Sequence, residues 1–160
     1  MPNPVLVEGE RAPAFTLPST RGERFRFTEH RGRWVVVFFY GKNHTAGART
    51  EVLEFQKALA DFQKLGTYIV GISPDHAECH QRLAREQKLK FPLLADRDAK
   101  VAAKYGAWRV RKNGGREYYG SVRSTFLIDP SGKIARIWDN VRAKGHVKRV
   151  QKALAEVIAG

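Results

Sequence analysis

The chain has a single cysteine, a single methionine and no long apolar run. Each shortage narrows what the protein can be. One cysteine, Cys79, excludes an intrachain disulfide and any cysteine-rich metal site. A bilayer span needs roughly 18–20 consecutive apolar residues, and no stretch approaches that. Met1 to Glu8 lacks the basic start and apolar stretch of a secretory signal, so a cytoplasmic location is expected. Internal repeats, low-complexity tracts and Ser/Gly linkers are also missing. One domain over residues 1–160 is therefore expected. Acidic side chains are scarce, 16 against 29 Lys and Arg, which leaves a formal net charge of +13. Such a field attracts anions, nucleic acid or an acidic partner. The basic residues are nonetheless spread along the chain, with no block of five or more. A solvated basic surface is the expectation, with a nucleic-acid or acidic-protein binding module as the alternative.

Hydrophobic residues make up 42% of the chain, an ordinary globular share. Phe15 and Leu17, flanked by Pro13 and Pro18, suggest an edge strand. Phe25 and Phe27 alternate with polar neighbours at strand spacing. Trp34 to Tyr40 is apolar on both faces, which suits a central strand covered on both sides. Val52, Phe55, Leu59 and Phe62 recur at helical spacing between Gly47 and Leu65, and Gly66 ends the pattern. Tyr68–Ser73 reads as a second buried strand, His76–Lys88 as a helix, Phe91–Asp96 as a short extended piece and Ala99–Tyr105 as a brief helix. Ser124–Asp129, a Pro130–Lys133 turn and Ile134–Trp138 form a hairpin. His146–Ile158 is the last helix. Strands alternating with helices, then a hairpin and a helix, predict an α/β protein with a mixed central sheet flanked by helices on both faces.

The loop between the first buried strand and the first long helix is the place to look for chemistry. Free N–H groups and the positive end of the helix dipole favour an anion there. A thiol at such a place has a depressed pKa and reacts as thiolate. Ala48 stands there instead. Thr45 either caps the helix or offers its hydroxyl. Arg123, just before the Ser124 strand, is either a solvated cation or a group aimed at a bound anion. Arg49 in the first turns opposes the dipole unless it serves a ligand or partner. Cys79 reads as a small, partly buried hydrophobe. His30, His44, His76, His80 and His146 do not form a close metal set, although His76 and His80 could share a helix face. Gly114-Gly115 lies in a basic turn and lacks the preceding strand and following helix of a phosphate-binding loop. No cofactor or metal is expected.

Several separated segments resemble the peroxiredoxins. Gly9-Glu10-Arg11-Ala12-Pro13-Ala14-Phe15-Thr16-Leu17-Pro18 is similar to the family's lead-in. Residues 35–51 resemble its active-site segment, and Arg123-Ser124-Thr125-Phe126-Leu127-Ile128-Asp129-Pro130 its arginine strand. Tyr105-Gly106-Ala107-Trp108 and Lys144-Gly145-His146-Val147 resemble the bacterioferritin comigratory protein, or peroxiredoxin Q, subgroup. The resemblance implies a thioredoxin-like fold. It also implies a hydroperoxide substrate, thioredoxin as reductant and a monomer or weak homodimer. In that family a cysteine thiolate attacks the peroxide O–O bond and becomes a sulfenic acid. A threonine, backbone N–H groups and an arginine hold the peroxide. By position Thr45 and Arg123 match. Ala48 occupies the place of the peroxidatic cysteine, and Gly41 and Ala46 stand where proline is usual or frequent. Resolving cysteines of the subgroup would fall at Leu53 or Ala84, and neither is cysteine. A methyl group is no nucleophile, so the chain as written is expected to be inactive. It is then either a natural pseudo-enzyme or a Cys-to-Ala variant. A deliberate change would touch one residue, so the departures at Gly41 and Ala46 favour natural loss.

Overall fold

The computed structural model describes residues 6–41 and 45–160. β-Branched and aromatic side chains on both faces carry Trp34–Phe39 (β3) into the middle of a five-stranded sheet. β3 runs parallel to β4 (Thr67–Ser73) and antiparallel to β8 (Ser124–Ile128). β5 (Leu93–Ala95) extends the sheet beyond β4, and β9 (Ile134–Trp138) beyond β8. The order is β5-β4-β3-β8-β9, a mixed sheet.

Alternation along β3 divides the core in two. Val35, Val37 and Phe39 face a cluster with Phe15, Phe25, Phe27 and Tyr105. α3 (Lys100–Lys104) contributes Val101 and Ala102 to that side. Val36 and Phe38 face the other cluster. There α1 (Ala46–Lys64) supplies Val52, Phe55, Leu59 and Phe62. α2 (Ala77–Glu86) supplies Leu83, and α4 (His146–Ala159) supplies Val147, Val150 and Leu154. Helices thus cover both faces, as the pattern of elements predicts.

Two expectations change. Phe27 does not continue a strand. β1 (Thr16–Leu17) and β2 (Phe25–Arg26) form a separate two-stranded pair, and Phe27–His30 is a 3-10 turn that drops the Phe27 ring into the core. Gly114-Gly115 does have a preceding strand. It joins β6 (Trp108–Asn113) to β7 (Arg116–Ser121) as a two-residue turn. Both glycines have positive φ, +60° and +81°, the requirement of a type I′ hairpin. A strand and not a helix follows it, so a phosphate-loop arrangement is excluded on the structure.

α3 is too short to hold its own start. Ala99, its N-cap, is left-handed (φ 58°) and has no capping side chain. Buried Asp96 does the capping, accepting from the N–H groups of Val101 (3.3 Å) and Ala102 (2.9 Å). Among the described residues no helix is long and apolar enough to cross a membrane.

Candidate active site at the start of helix α1

β3 leads through Tyr40 and Gly41 toward α1, whose N-cap is Thr45. Lys42, Asn43 and His44 lie outside the described residues. Thr45 has extended dihedrals, and its Oγ1 accepts from the Ala48 N–H at 3.3 Å. Of the two readings of Thr45, the cap is therefore formed. The first turn contains no acidic residue, so nothing there neutralises the dipole. Ala48 is fully buried and packs in the cluster with Val52 and Phe55. Ala46 is exposed on the first turn, and Gly41 is half-buried.

Arg123 reaches this helix end from the residue before β8. Its guanidinium lies directly over Gly47: a Cβ built there would sit 2.5 Å from an Arg123 terminal nitrogen. Only glycine permits that approach. The Arg123 Nε is 3.4 Å from the Glu51 carboxylate, and the arginine side chain is 24% exposed. The structure thus brings Thr45, Gly47, Ala48 and Arg123 to one end of α1.

Sequence reasoning passed over Glu51. It is fully buried, one turn beyond Ala48 on the apolar face of α1. Its second oxygen lies 3.9 Å from His146 Nε2, and that nitrogen is 2.7 Å from Thr125 Oγ1. Burial pushes the Glu51 pKa up to about 8, against the pull of Arg123 and with a small push from Glu54. Burial also pushes His146 down to about 4, helped by Arg149 and Arg123. Burial therefore favours a neutral carboxyl beside a neutral imidazole, opposed at Glu51 by the Arg123 charge. A protonated Glu51 leaves that charge presented at the helix end. The signal available in the sequence was a carboxylate at i+3 from Ala48 on an otherwise apolar helix face.

Other candidates fall elsewhere. Arg49 is ion-paired with Glu86 of α2 at 3.8 Å, and both side chains are about half exposed. His76 and His80 differ in burial. His76 is the exposed N-cap of α2, whereas His80 is buried, with Nε2 2.7 Å from Ser73 Oγ. Burial lowers His80 to about 4, opposed by Asp75. Cys79 is half-buried on α2. Leu53 and Ala84 are both half-buried.

Residues 8–137 match the model of the AhpC/TSA family. Peroxiredoxin Bcp of Bacillus subtilis is 36% identical over 149 residues, covering 93% of this chain and 95% of that protein. Peroxiredoxin Bcp of Escherichia coli is 35% identical over 141 residues, covering 88% and 90%. Among solved structures, the bacterioferritin comigratory protein of Xanthomonas campestris superposes with a TM-score of 0.85 at 32% identity, covering 89% of this chain and 90% of that one. That structure comes from work on its alkyl peroxide reduction activity. A cysteine-to-serine mutant of Xylella fastidiosa peroxiredoxin Q superposes with a TM-score of 0.88 at 27% identity, covering 96% and 98%. The mixed sheet with helices on both faces is accordingly the thioredoxin-like fold. The chain belongs to the AhpC/TSA family, as a peroxiredoxin of the bacterioferritin comigratory protein, or peroxiredoxin Q, subgroup.

Proposed function

We propose that this chain is a peroxiredoxin without peroxidase turnover: a site shaped for a hydroperoxide, with alanine where the family's attacking thiol belongs. The observation that carries this is Ala48. Its methyl group is buried in the first turn of α1, one helical step from Gly47 and the Arg123 guanidinium, with its N–H held by Thr45. Cleaving the O–O bond requires an electron pair on a nucleophilic atom at that place. A methyl carbon has none to give. Without a sulfenic acid no disulfide forms, and a thioredoxin-type reductant has nothing to reduce. Thr45 and Arg123 would hold and polarise the hydroperoxide. In this reading the chain works as one domain over residues 1–160, cytoplasmic, as a monomer or weak homodimer.

The test is thioredoxin-coupled consumption of hydrogen peroxide and of an organic hydroperoxide. The chain as written should show no rate above the protein-free blank, and Ala48→Cys should introduce one. Turnover by the unmodified chain that disappears in Cys79→Ser would overturn the proposal and make Cys79 the nucleophile.

A further inference from the structure

We propose that the β6–β7 ribbon is a binding surface for single-stranded nucleic acid. Both strands stand clear of the core: residues 111–119 are all exposed. Among the described residues the exposed large hydrophobics are Val7, Val110, Tyr118, Tyr119 and Ile158, and three of these five lie on this ribbon. The ribbon also carries four cations (Arg109, Arg111, Lys112 and Arg116) against one carboxylate, Glu117.

The register sorts these side chains by face. Arg109 pairs with Gly120, Arg111 with Tyr118 and Asn113 with Arg116, so one face carries three arginines and a tyrosine. Lys112, on the opposite face, is ion-paired with Glu117 at 3.9 Å, so the carboxylate is spent away from the arginines. Gly120 shapes the basic face. A Cβ there would lie 2.9 Å from the Tyr118 ring and 3.6 Å from the Arg111 stem. The tyrosine ring therefore leans over Gly120 beside Arg111, with Tyr118 46% exposed. The ribbon is fixed at its base, where the Val122 N–H donates to Ala107 O at 2.7 Å and Arg109 pairs with Asp139 at 2.8 Å.

Arg109 is held by Asp139, and Arg111 also donates from one terminal nitrogen to Ser121 O at 2.8 Å. Arg111 and Arg116 are thus the cations of this face left to follow a phosphate backbone, while the exposed Tyr118 ring accepts an unpaired base by stacking. The excess of 13 positive charges on the chain draws the same partner from a distance. An acidic polypeptide would satisfy the arginines but has no use for a flat ring.

The probe is a fluorescein-labelled oligothymidylate of 12 nucleotides, read by anisotropy at several salt concentrations. Binding should be clear at low salt. The double variant Arg111→Ala/Arg116→Ala should weaken it and flatten the log–log salt slope by about 1.4, from roughly 0.7 per phosphate contact. Tyr118→Ala should weaken it about fivefold or more with little change of slope. Gly120→Ala should act in the same direction, because it lifts the ring without removing a charge. The pair Lys148→Ala/Lys152→Ala on exposed α4 positions removes equal charge and should change affinity less. No binding at low salt overturns the proposal. So does an α4 pair as damaging as the ribbon pair, or indifference to both Tyr118→Ala and Gly120→Ala. Equal competition by polyglutamate identifies an acidic protein as the partner and also overturns it. Far-UV circular dichroism verifies that each variant is folded.

Discussion

Glu51→Gln tests the electrostatics of the site at its least ordinary point. The carboxyl is fully buried, and burial raises its pKa from 4.5 to about 8 despite Arg123 at 3.4 Å. In the unfolded chain it titrates at its ordinary value. Between those two values the folded state binds the extra proton, so stability falls as pH rises. Above about 8 both states are ionised and the fall ends. Buried His80 and His146 act oppositely. Their folded pKa values near 4 lie below the ordinary 6.5, so their contribution rises with pH and is nearly complete above 6.5. His30 is shifted the same way, and from 6.5 to 8 each of the three histidines still adds about 0.4 kcal/mol as its unfolded form finishes titrating, so Glu51 is isolated only as the difference between wild type and Glu51→Gln. At about 1.4 kcal/mol per pH unit it should cost the wild type about 2 kcal/mol there.

Urea unfolding at pH 6.5 and pH 8, with reductant present for Cys79, reads this directly. With a slope near 2 kcal/mol per molar urea, the wild-type midpoint should fall by about 1 M relative to that of Glu51→Gln. Glu51→Gln has no such proton to lose, so its midpoint should rise slightly over the same interval as the histidine contributions complete. Histidine contributions are shared by both proteins and cancel in the comparison. Parallel midpoints in the two proteins would refute the reasoning. They would mean that Arg123 and His146 keep Glu51 ionised in the fold, and that Arg123 is neutralised rather than presented at the helix end.

Two further substitutions separate packing from function. Gly71→Ala places a methyl 2.6 Å from the Phe38 ring and 3.0 Å from Leu93 in a filled core, and should cost about 1–3 kcal/mol in chemical denaturation. Gly47→Ala should move stability and activity in opposite directions. Alanine favours a helix over glycine by up to about 1 kcal/mol, yet its Cβ displaces the Arg123 guanidinium. In an Ala48→Cys background it should lower peroxide turnover about tenfold or more while the melting temperature holds or rises. An unchanged rate would show that Arg123 does not need that position.

The central elements were legible because their apolar patterns are long and regular. The unbroken apolar run of β3 and the spacing of Val52, Phe55, Leu59 and Phe62 leave little choice of structure. Thr45, Ala48 and Arg123 were legible as neighbours only through family likeness, since 78 residues separate Thr45 from Arg123 in the chain. What stayed hidden was of two kinds. The β6–β7 ribbon has strands that bury little, so hydrophobic patterning is weak there. Its turn, two glycines between alternating residues, was the usable signal. Glu51, Thr125 and His146 were hidden because polar residues buried together leave no mark in the sequence beyond a charge on the wrong face of a helix.

The burial of Ala48 bears on how the proposed loss of chemistry is tolerated. At a fully buried position a free cysteine behaves as a small hydrophobe, so replacing its sulfur by hydrogen removes a few van der Waals contacts and no structural bond. The thiol is therefore the one part of the site that folding does not need. The neighbours differ. Thr45 caps α1, a bond worth about 1 kcal/mol, and Arg123 packs over Gly47 with its Nε 3.4 Å from the Glu51 carboxyl. The cap alone accounts for the presence of Thr45, so its persistence does not require that peroxide still be bound. Residue 48 carries the functional question by itself. A rate that appears on Ala48→Cys would show that the surrounding geometry is competent. A cysteine there that stays inert in a folded protein would place the defect in the entry to α1, where Gly41 precedes the helix and Ala46 opens it.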